Sequence, residues 1–353
     1  KEDKKNKQTV FVPYYSCGLK TQRDSWCYNS SLDSLNFNME QATAFYNKQR
    51  ELLTLGKIQD VIYDSTRISW TTNVLNAAKK NEIIPLDKIG ENSNCLYRPY
   101  FKQYGCYSRF WNERVYQLPK LFPTSKYKNL VICVSGVGVT KDFSCIITDM
   151  LPDLELIGKS QCFPLYWYEE NKNKQQTLSW FDTESSDDYI RRDGITDWIL
   201  KEVRTRFGNA RKITKETIFY YVYGLLHSPK YREAFAADLK KSLPRIPIVE
   251  DIDAFLDFSY AGKQLANLHL NYEEIPAYEG VTVIGDRQKE EAPDGRMIAG
   301  TTDLYAVKVD YKYYEVEKMR FPKKGQKDTI IYNSSIRIEN IPDEAYEYIV
   351  NGK

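Results

Sequence analysis

His227 and His269 are the only histidines in the 353 residues. That scarcity limits zinc sites and histidine-base catalysis, and it leaves no basis for a Ser or Cys nucleophile paired with His and Asp. Seven cysteines stand at 17, 27, 95, 106, 133, 145 and 162, none at the two-residue spacing of a zinc ribbon. An odd count spread over a long chain fits reduced thiols in a cytoplasm. Val131-Ile-Cys-Val-Ser-Gly-Val-Gly-Val139 resembles a strand entering a glycine-rich phosphate loop, but Lys141 occupies the place of the third glycine and no helical pattern follows. Gly158-Lys159-Ser160 ends like a phosphate-binding P-loop, yet Asp153 stands where its first glycine belongs and would repel phosphate. Glu315-Val-Glu317-Lys318 has the letters of a metal-dependent nuclease at the wrong spacing, and reads as the polar face of a strand. Asp251, Asp253 and Asp257 follow helical spacing and suit the dipole at a helix start better than a metal. His227 ends one helix and precedes the next, a position for packing or capping. No self-contained active site emerges, so the segment is not expected to be an enzyme by itself.

The elements that hold these residues fall into blocks. Leu35, Met39, Ala42, Phe45, Tyr46 and Leu52 predict a helix over 32–55, stopped by Gly56. Stretches 129–139, 144–157 and 162–168 are Val/Ile-rich or aromatic and predict strands. Thr196 and Thr214 are N-caps for helices running to Phe207 and Leu226. Ser228-Pro229 opens another, predicted to reach about Ser242, and 250–269 supports a fourth. Strand patterns return at 281–284, 296–310 and 329–338. The expected fold is α+β, with mixed β-sheet regions flanking a central helical block. No internal repeat is visible.

Lys+Arg number 50 and Asp+Glu 48, a net charge of +2 that conceals segregation. Residues 98–128 carry seven basic side chains against the single acid Glu113, interleaved with nine Tyr, Phe and Trp. Residues 201–245 hold eleven basic side chains against four acids, while 250–294 holds eleven acids against three bases. Basic blocks attract phosphates through counterion release, and arginine can read guanine edges. The same blocks can also be solvated helix faces or a protein-interaction surface. No apolar run is long enough to cross a membrane. The chain starts at Lys1 without Met, and its first residues lack the apolar core of a secretory signal, so it reads as a segment of a longer, cytoplasmic protein.

Several segments together resemble the C-terminal part of type ISP restriction–modification enzymes, single chains with nuclease, helicase, adenine-N6 methyltransferase and target recognition domains. They include Tyr15-Ser-Cys-Gly-Leu-Lys-Thr-Gln-Arg-Asp24, Tyr63-Asp-Ser-Thr-Arg-Ile-Ser-Trp70, Phe110-Trp-Asn-Glu-Arg-Val-Tyr116, Cys162-Phe-Pro-Leu-Tyr-Trp-Tyr168, Ile213-Thr-Lys-Glu-Thr-Ile-Phe-Tyr-Tyr-Val-Tyr-Gly-Leu-Leu-His-Ser-Pro-Lys-Tyr-Arg232 and Tyr332-Asn-Ser-Ser-Ile-Arg-Ile338. The order is that of the family and spans most of the chain. Gly18-Leu-Lys-Thr-Gln-Arg-Asp24 looks like the Gly-x-x-Thr-Gly-x-Asn/Asp loop that follows many methyltransferase cores, with Gln22 in place of the second glycine. The Asn/Asp-Pro-Pro-Tyr/Phe tetrad of such cores is absent from the 353 residues.

The resemblance implies a target recognition domain that binds double-stranded DNA beside methyltransferase and helicase domains of the same chain. A target adenine would be flipped out for methylation, with the recognition domain gripping the duplex. No cofactor is expected here; S-adenosylmethionine, ATP and Mg would serve the parent enzyme. Four subregions are expected: a junction over 1–60, a β-rich DNA-recognition part over 61–190, a helical part over 191–275 and a β part over 276–353. Candidate DNA contacts are Lys20, Thr21 and Arg23 at the junction, then Arg98, Lys102, Tyr104, Arg109 and Arg114, and Ser135 and Lys141 beside the glycine turn. Burial in a β core is the alternative for Tyr104, and a salt bridge, for instance with Glu113, for Arg109 and Arg114. The competing reading of the whole is an inter-domain or protein-interaction scaffold.

Overall fold

The structure is a computed structural model that describes residues 8–172, 188–208, 210–285, 313–316 and 318–352. The chain divides into two compact units, residues 1–272 with 350–353, and residues 273–349.

In chain order the first unit contains β1 (Ser16–Cys17), α1 (Asp24–Cys27), β2 (Tyr28–Asn29), α2 (Leu32–Thr54), α3 (Thr72–Lys79), β3 (Glu91–Arg98), β4 (Phe101–Tyr107) and α4 (Leu118–Leu121). There follow β5 (Val131–Val134), β6 (Cys145–Thr148), β7 (Leu151–Pro152), β8 (Gln161–Pro164), β9 (Tyr166–Glu170) and β10 (Tyr189–Asp193). The helical run is α5 (Asp197–Arg206), α6 (Lys215–His227), α7 (Pro229–Ala234), α8 (Ala236–Leu239) and α9 (Ile252–Leu270).

The centre is an antiparallel sheet in the order β1-β8-β5-β6. All four residues of β5 are buried, which explains its unbroken apolar run: both faces are covered. Ile132 and Val134, with Cys145 and Ile147 of β6, pack on the helices α5, α6 and α9. Val131 and Cys133, with Ile146 and Cys162, face the other way onto Leu19, Leu96, Leu118 and Leu151. That second layer is the sheet β2-β4-β3-β7, antiparallel except for the parallel pair β3/β7. A third cluster joins α2 and α3 through Leu35, Met39, Tyr46 and Val74 to Cys106 and Trp111.

The helices begin where the sequence predicts. Ser31, Thr196, Thr214 and Asp251 each accept a backbone N–H from the first turn, and Thr214 with Thr217 completes a capping box. Helices α6 and α9 cross with almost no space between backbones. A Cβ on Gly224 would lie 2.3 Å from the Phe258 carbonyl oxygen, and one on Gly262 would lie 2.1 Å from that of Tyr220. Only glycine allows that approach.

Several elements are shorter than the sequence predicts. The helix opened by Ser228-Pro229 stops at Ala234, because Phe235 at φ −114° and ψ 18° interrupts it before α8. Predicted strand 129–139 is ordered as a ladder only over β5, since the Ser135–Ser144 hydrogen bonds close the hairpin and glycines follow. Predicted strand 144–157 resolves into β6 and β7. Stretch 162–168 divides at Leu165, where the chain leaves β5 and takes β10 as its partner. The predicted strand 296–310 lies outside the described residues.

In the second unit β11 (Thr282–Ile284), β12 (Ile330–Ile331) and β13 (Arg337–Glu339) form a small antiparallel sheet in the order β11-β13-β12. Asn333 shapes its turn. Its side-chain oxygen accepts the N–H groups of Ser335 and Ile336, and its amide donates to the Tyr313 carbonyl. Glu315 lies in irregular chain rather than on a strand.

Candidate nucleic-acid interface

The segment from Gly18 to Asp24 crosses between β1 and α1 and is fixed on every side. Leu19 donates its N–H to Pro152 at 2.8 Å and accepts from Leu154 at 2.9 Å. Lys20 and Arg114 exchange both backbone hydrogen bonds, at 3.0 and 3.1 Å. Directly opposed residues of such a bridge present their side chains to the same face, so these two cations emerge together. Lys20 is half-buried and Arg114 is exposed, with its guanidinium 3.8 Å from the Glu113 carboxylate. Gln22 adopts φ +70°. The left-handed turn that a glycine makes freely is kept here with a side chain attached.

Beneath this loop lies a polar network built from residues distant in sequence. The Arg98 guanidinium meets Asp153 at 2.6 Å and Asp24 at 3.3 Å, and rests on the Tyr97 ring at 3.8 Å. Tyr28 donates its hydroxyl to Asp153 at 3.0 Å, and Tyr97 donates to Asp24 at 2.9 Å. Thr21 donates to Asp24 as well. Burial pushes the Asp153 carboxyl up to about 6, against the pull of the Glu155 N–H and of Arg98. Arg98 therefore acts inward: its side chain is only 33% exposed and both acids hold it.

The remaining predicted residues separate into two sets. Thr21 is 2% exposed and Ser135 is 5% exposed, and neither presents its hydroxyl to solvent. Ser135 is bonded to Ser144, accepting its N–H at 2.8 Å, so both hydroxyls fix loops. Arg23, Tyr104, Arg109 and Lys141 are exposed, and Lys102 is half-buried. Arg23 lies over the Trp26 ring at 4.5 Å and donates to the Ser65 carbonyl at 2.8 Å. Lys102 lies 4.7 Å from the Tyr272 ring centre. Tyr104 stands on β4 opposite Asn94 and Asn29. Arg109, in the turn after β4, forms no ion pair among the described residues.

The sequence reading missed Asp24 and Asp153 as anchors of this site. Asp24 was visible only as the last residue of the loop motif, and Asp153 only as the residue that spoils a P-loop. In the basic block 201–245, several cations are structural. Lys215 bridges Asp193 and Asp197, Arg204 donates to the Ile213 carbonyl, and Arg232 donates to the Leu226 carbonyl.

Groups capable of chemistry have structural partners here. The Ser160 hydroxyl accepts the Ile157 N–H at 3.1 Å and closes a tight turn. His227 Nδ1 donates to the Tyr223 carbonyl at 2.9 Å, and His269 Nδ1 lies 2.5 Å from the Tyr223 hydroxyl. Burial pushes both imidazoles down to about 4, so both are neutral near pH 7. Among the described residues no cluster of three His, Cys, Asp or Glu side chains is placed to hold a metal ion. No helix among them is long and apolar enough to cross a membrane.

Paired sheets backed by helices, with exposed cations on the connecting loops, make an α+β domain. The chain belongs to the family of type ISP C-terminal specificity domains, whose model matches residues 10–353. Among solved structures it is similar to the ATP-dependent type ISP restriction-modification enzyme LlaBIII bound to DNA, at 34% identity and a TM-score of 0.78, over 99% of this chain and 20% of that one. A nuclease-deletion mutant of the type ISP enzyme LlaGI, in complex with a DNA substrate mimic, matches at 31% identity and a TM-score of 0.75, over 99% of this chain and 24% of that one. The DrdV–DNA complex matches at 27% identity and a TM-score of 0.73, over 97% of this chain and 30% of that one. The chain thus spans less than a third of each of these relatives. No curated protein matches.

Proposed function

We propose that this chain recognises a specific double-stranded DNA sequence as the target recognition domain of a type ISP restriction–modification enzyme. In the cytoplasm it would place a target adenine for N6 methylation by a methyltransferase domain and direct cleavage by other domains of the parent chain. One observation carries the reading: similarity over 99% of the chain, at 34% identity, to an enzyme described as bound to DNA. The exposed Arg23, Tyr104, Arg109 and Arg114 and the half-buried Lys102 suit it, because cations position a duplex and aromatic or polar tips touch bases. Seven free cysteines suit a reducing compartment.

Neither glycine-rich turn among the described residues has the form of a nucleotide-binding loop. The Gly136–Gly138 turn leads to β6 rather than a helix, and the Gly158 turn is closed by Ser160. S-adenosylmethionine, ATP and magnesium belong, in this proposal, to the rest of the parent enzyme.

Titration of labelled duplex at several salt concentrations tests the reading. The chain should bind, with affinity falling steeply as salt rises. Lys102→Glu with Arg109→Glu should weaken binding about tenfold or more at low salt, since each lost phosphate contact removes a unit of slope of about 0.9. A parent-length enzyme that binds no duplex at low salt would sink the proposal.

A further inference from the structure

Four stretches of chain meet at the loop that joins β5 to β6. Ser135 donates its N–H to the Ser144 carbonyl at 3.0 Å, and Gly136 donates to the Gly158 carbonyl at 2.9 Å. Gly138 reaches the Lys240 carbonyl at 3.3 Å, and Asn351 donates its N–H to the Ser144 hydroxyl at 2.8 Å. A Cβ on Gly136 would fall 2.3 Å from the Lys159 carbonyl oxygen, so residue 159 is pressed against the turn. The stem of Lys141 lies along Gly352, where an added Cβ would be 3.4 Å from its Cδ. Lys141, Lys159 and Lys240, scattered over a hundred positions of sequence, are thereby gathered around one turn, and all three are exposed. Among the described residues the ion pair formed by these lysines is Lys240 with Asp142, at 2.9 Å, and the Asp142 side chain is 90% exposed.

We propose that Lys141, Lys159 and Lys240 form a phosphate-contacting surface for duplex DNA that adds affinity without reading sequence. The proposal rests on DNA recognition by this chain and adds a separate place on its surface. Lysine is the reason for assigning phosphate rather than base contact. Its ammonium is a flexible point charge, whereas base-edge reading favours the planar fork of arginine or an amide. The turn is held by backbone-to-backbone hydrogen bonds of Ser135, Gly136 and Gly138, so the lysine stems stand on a fixed platform. Asp142 tethers Lys240 from solvent and is readily exchanged for a phosphate oxygen.

The test compares the 353-residue chain with its K141Q/K159Q/K240Q variant on two duplexes of unrelated sequence, across a salt series. Affinity at low salt should fall about tenfold, equally for both duplexes, and the slope of log affinity against log salt should fall by about 2.7, about 0.9 for each lysine. The melting temperature should not change, because none of these ammonium groups is buried. A second readout needs no variant: excess duplex should shield the three amines of the wild-type chain from acetylation. An unchanged slope in a normally melting variant, or undiminished amine reactivity under saturating duplex, overturns the proposal. Absence of binding by both the wild-type chain and the parent-length enzyme would instead overturn the DNA reading itself, and this surface with it.

Discussion

The junction loop and the end of the β5–β6 hairpin are built alike in outline and opposed in electrostatics. Each sets an exposed or half-exposed lysine beside a buried hydroxyl, Lys20 by Thr21 and Lys141 by Ser135 within a short loop. At the junction the cation Arg98 is turned inward, between Asp24 and Asp153, and two tyrosine hydroxyls complete the same carboxylates. At the hairpin the loop is fixed by backbone hydrogen bonds and close glycine contact, and the lysines point to water. A planar guanidinium with several donors can lock a loop in place; a lysine on a long stem offers charge without geometry. A basic residue count therefore says little about DNA until each cation has been traced to its partners.

Removing one cation from each region breaks the comparison most directly. Arg98→Met leaves Asp24 and Asp153 facing each other without a counter-charge. Loss of one partner of a buried pair costs 3–5 kcal/mol; with Arg98 a third exposed and Asp153 able to take up a proton, about 2 kcal/mol is expected. Urea unfolding at pH 7 measures it. Arg98→Lys should recover part of the loss. Lys141→Met should change stability by less than about 0.5 kcal/mol, as surface changes usually do. Equal small effects from both substitutions would remove the distinction between a locking arginine and a free lysine.

The pH dependence of stability sharpens the same contrast, since it separates a buried acid from a buried neutral pair. Asp153 takes a proton near pH 6 in the fold, whereas an unfolded aspartate does so near 4. Between those values the fold holds the extra proton, so this group lowers stability as pH rises from about 4 to 6. His227 and His269 act in the opposite sense. Each titrates near 4 in the fold, while an unfolded histidine titrates near 6.5, so the unfolded chain binds their protons in between and stability falls as pH drops. Each group contributes a slope of up to ~1.4 kcal/mol per pH unit. With two histidines against one aspartate, wild-type stability should decrease on acidification from 6.5 to 4. Asp153→Asn should steepen that decrease, and His269→Gln should flatten it. A wild-type curve level over this range would refute the assignment of the histidine pair as buried and neutral.

The helices were legible because their signals are local. Ser228-Pro229 and the caps Thr196 and Thr214 mark starts within a turn of the residues they serve. The family was legible as well, through motifs that recur in order. The binding geometry was not. Arg98 meets Asp153 across 55 positions and Asp24 across 74, and Tyr28 reaches Asp153 across 125. Nothing in the spacing of charges indicates which arginine will be neutralised by which acid. Thr21, by its place at the junction, and Ser135, beside the glycine turn, looked like donors to DNA, but a hydroxyl next to a tight turn is well placed to close that turn. The break at Phe235 was hidden for a related reason: no proline or glycine marks it.

Gln22 offers the finest probe of how firmly the junction loop is held. Its φ of +70° costs a side-chain-bearing residue about 1 kcal/mol, and it persists because Thr21 and Lys20 on one side and Asp24 on the other are bonded into the structure. Gln22→Gly removes that strain but also loosens the unfolded chain, so a net gain of a few tenths of a kcal/mol is expected. Gln22→Val should lose about 1 kcal/mol relative to wild type, because a β-branched residue tolerates this conformation poorly. The ordering Gly, Gln, Val in urea unfolding is the prediction. If all three unfold alike, the loop relaxes out of the left-handed turn, and the network of Arg98, Asp24 and Asp153 does not hold it. If the ordering appears and Arg98→Met abolishes it, the strain at Gln22 and the inward-turned arginine are two ends of one fixed element, with no counterpart at the lysine-bearing hairpin.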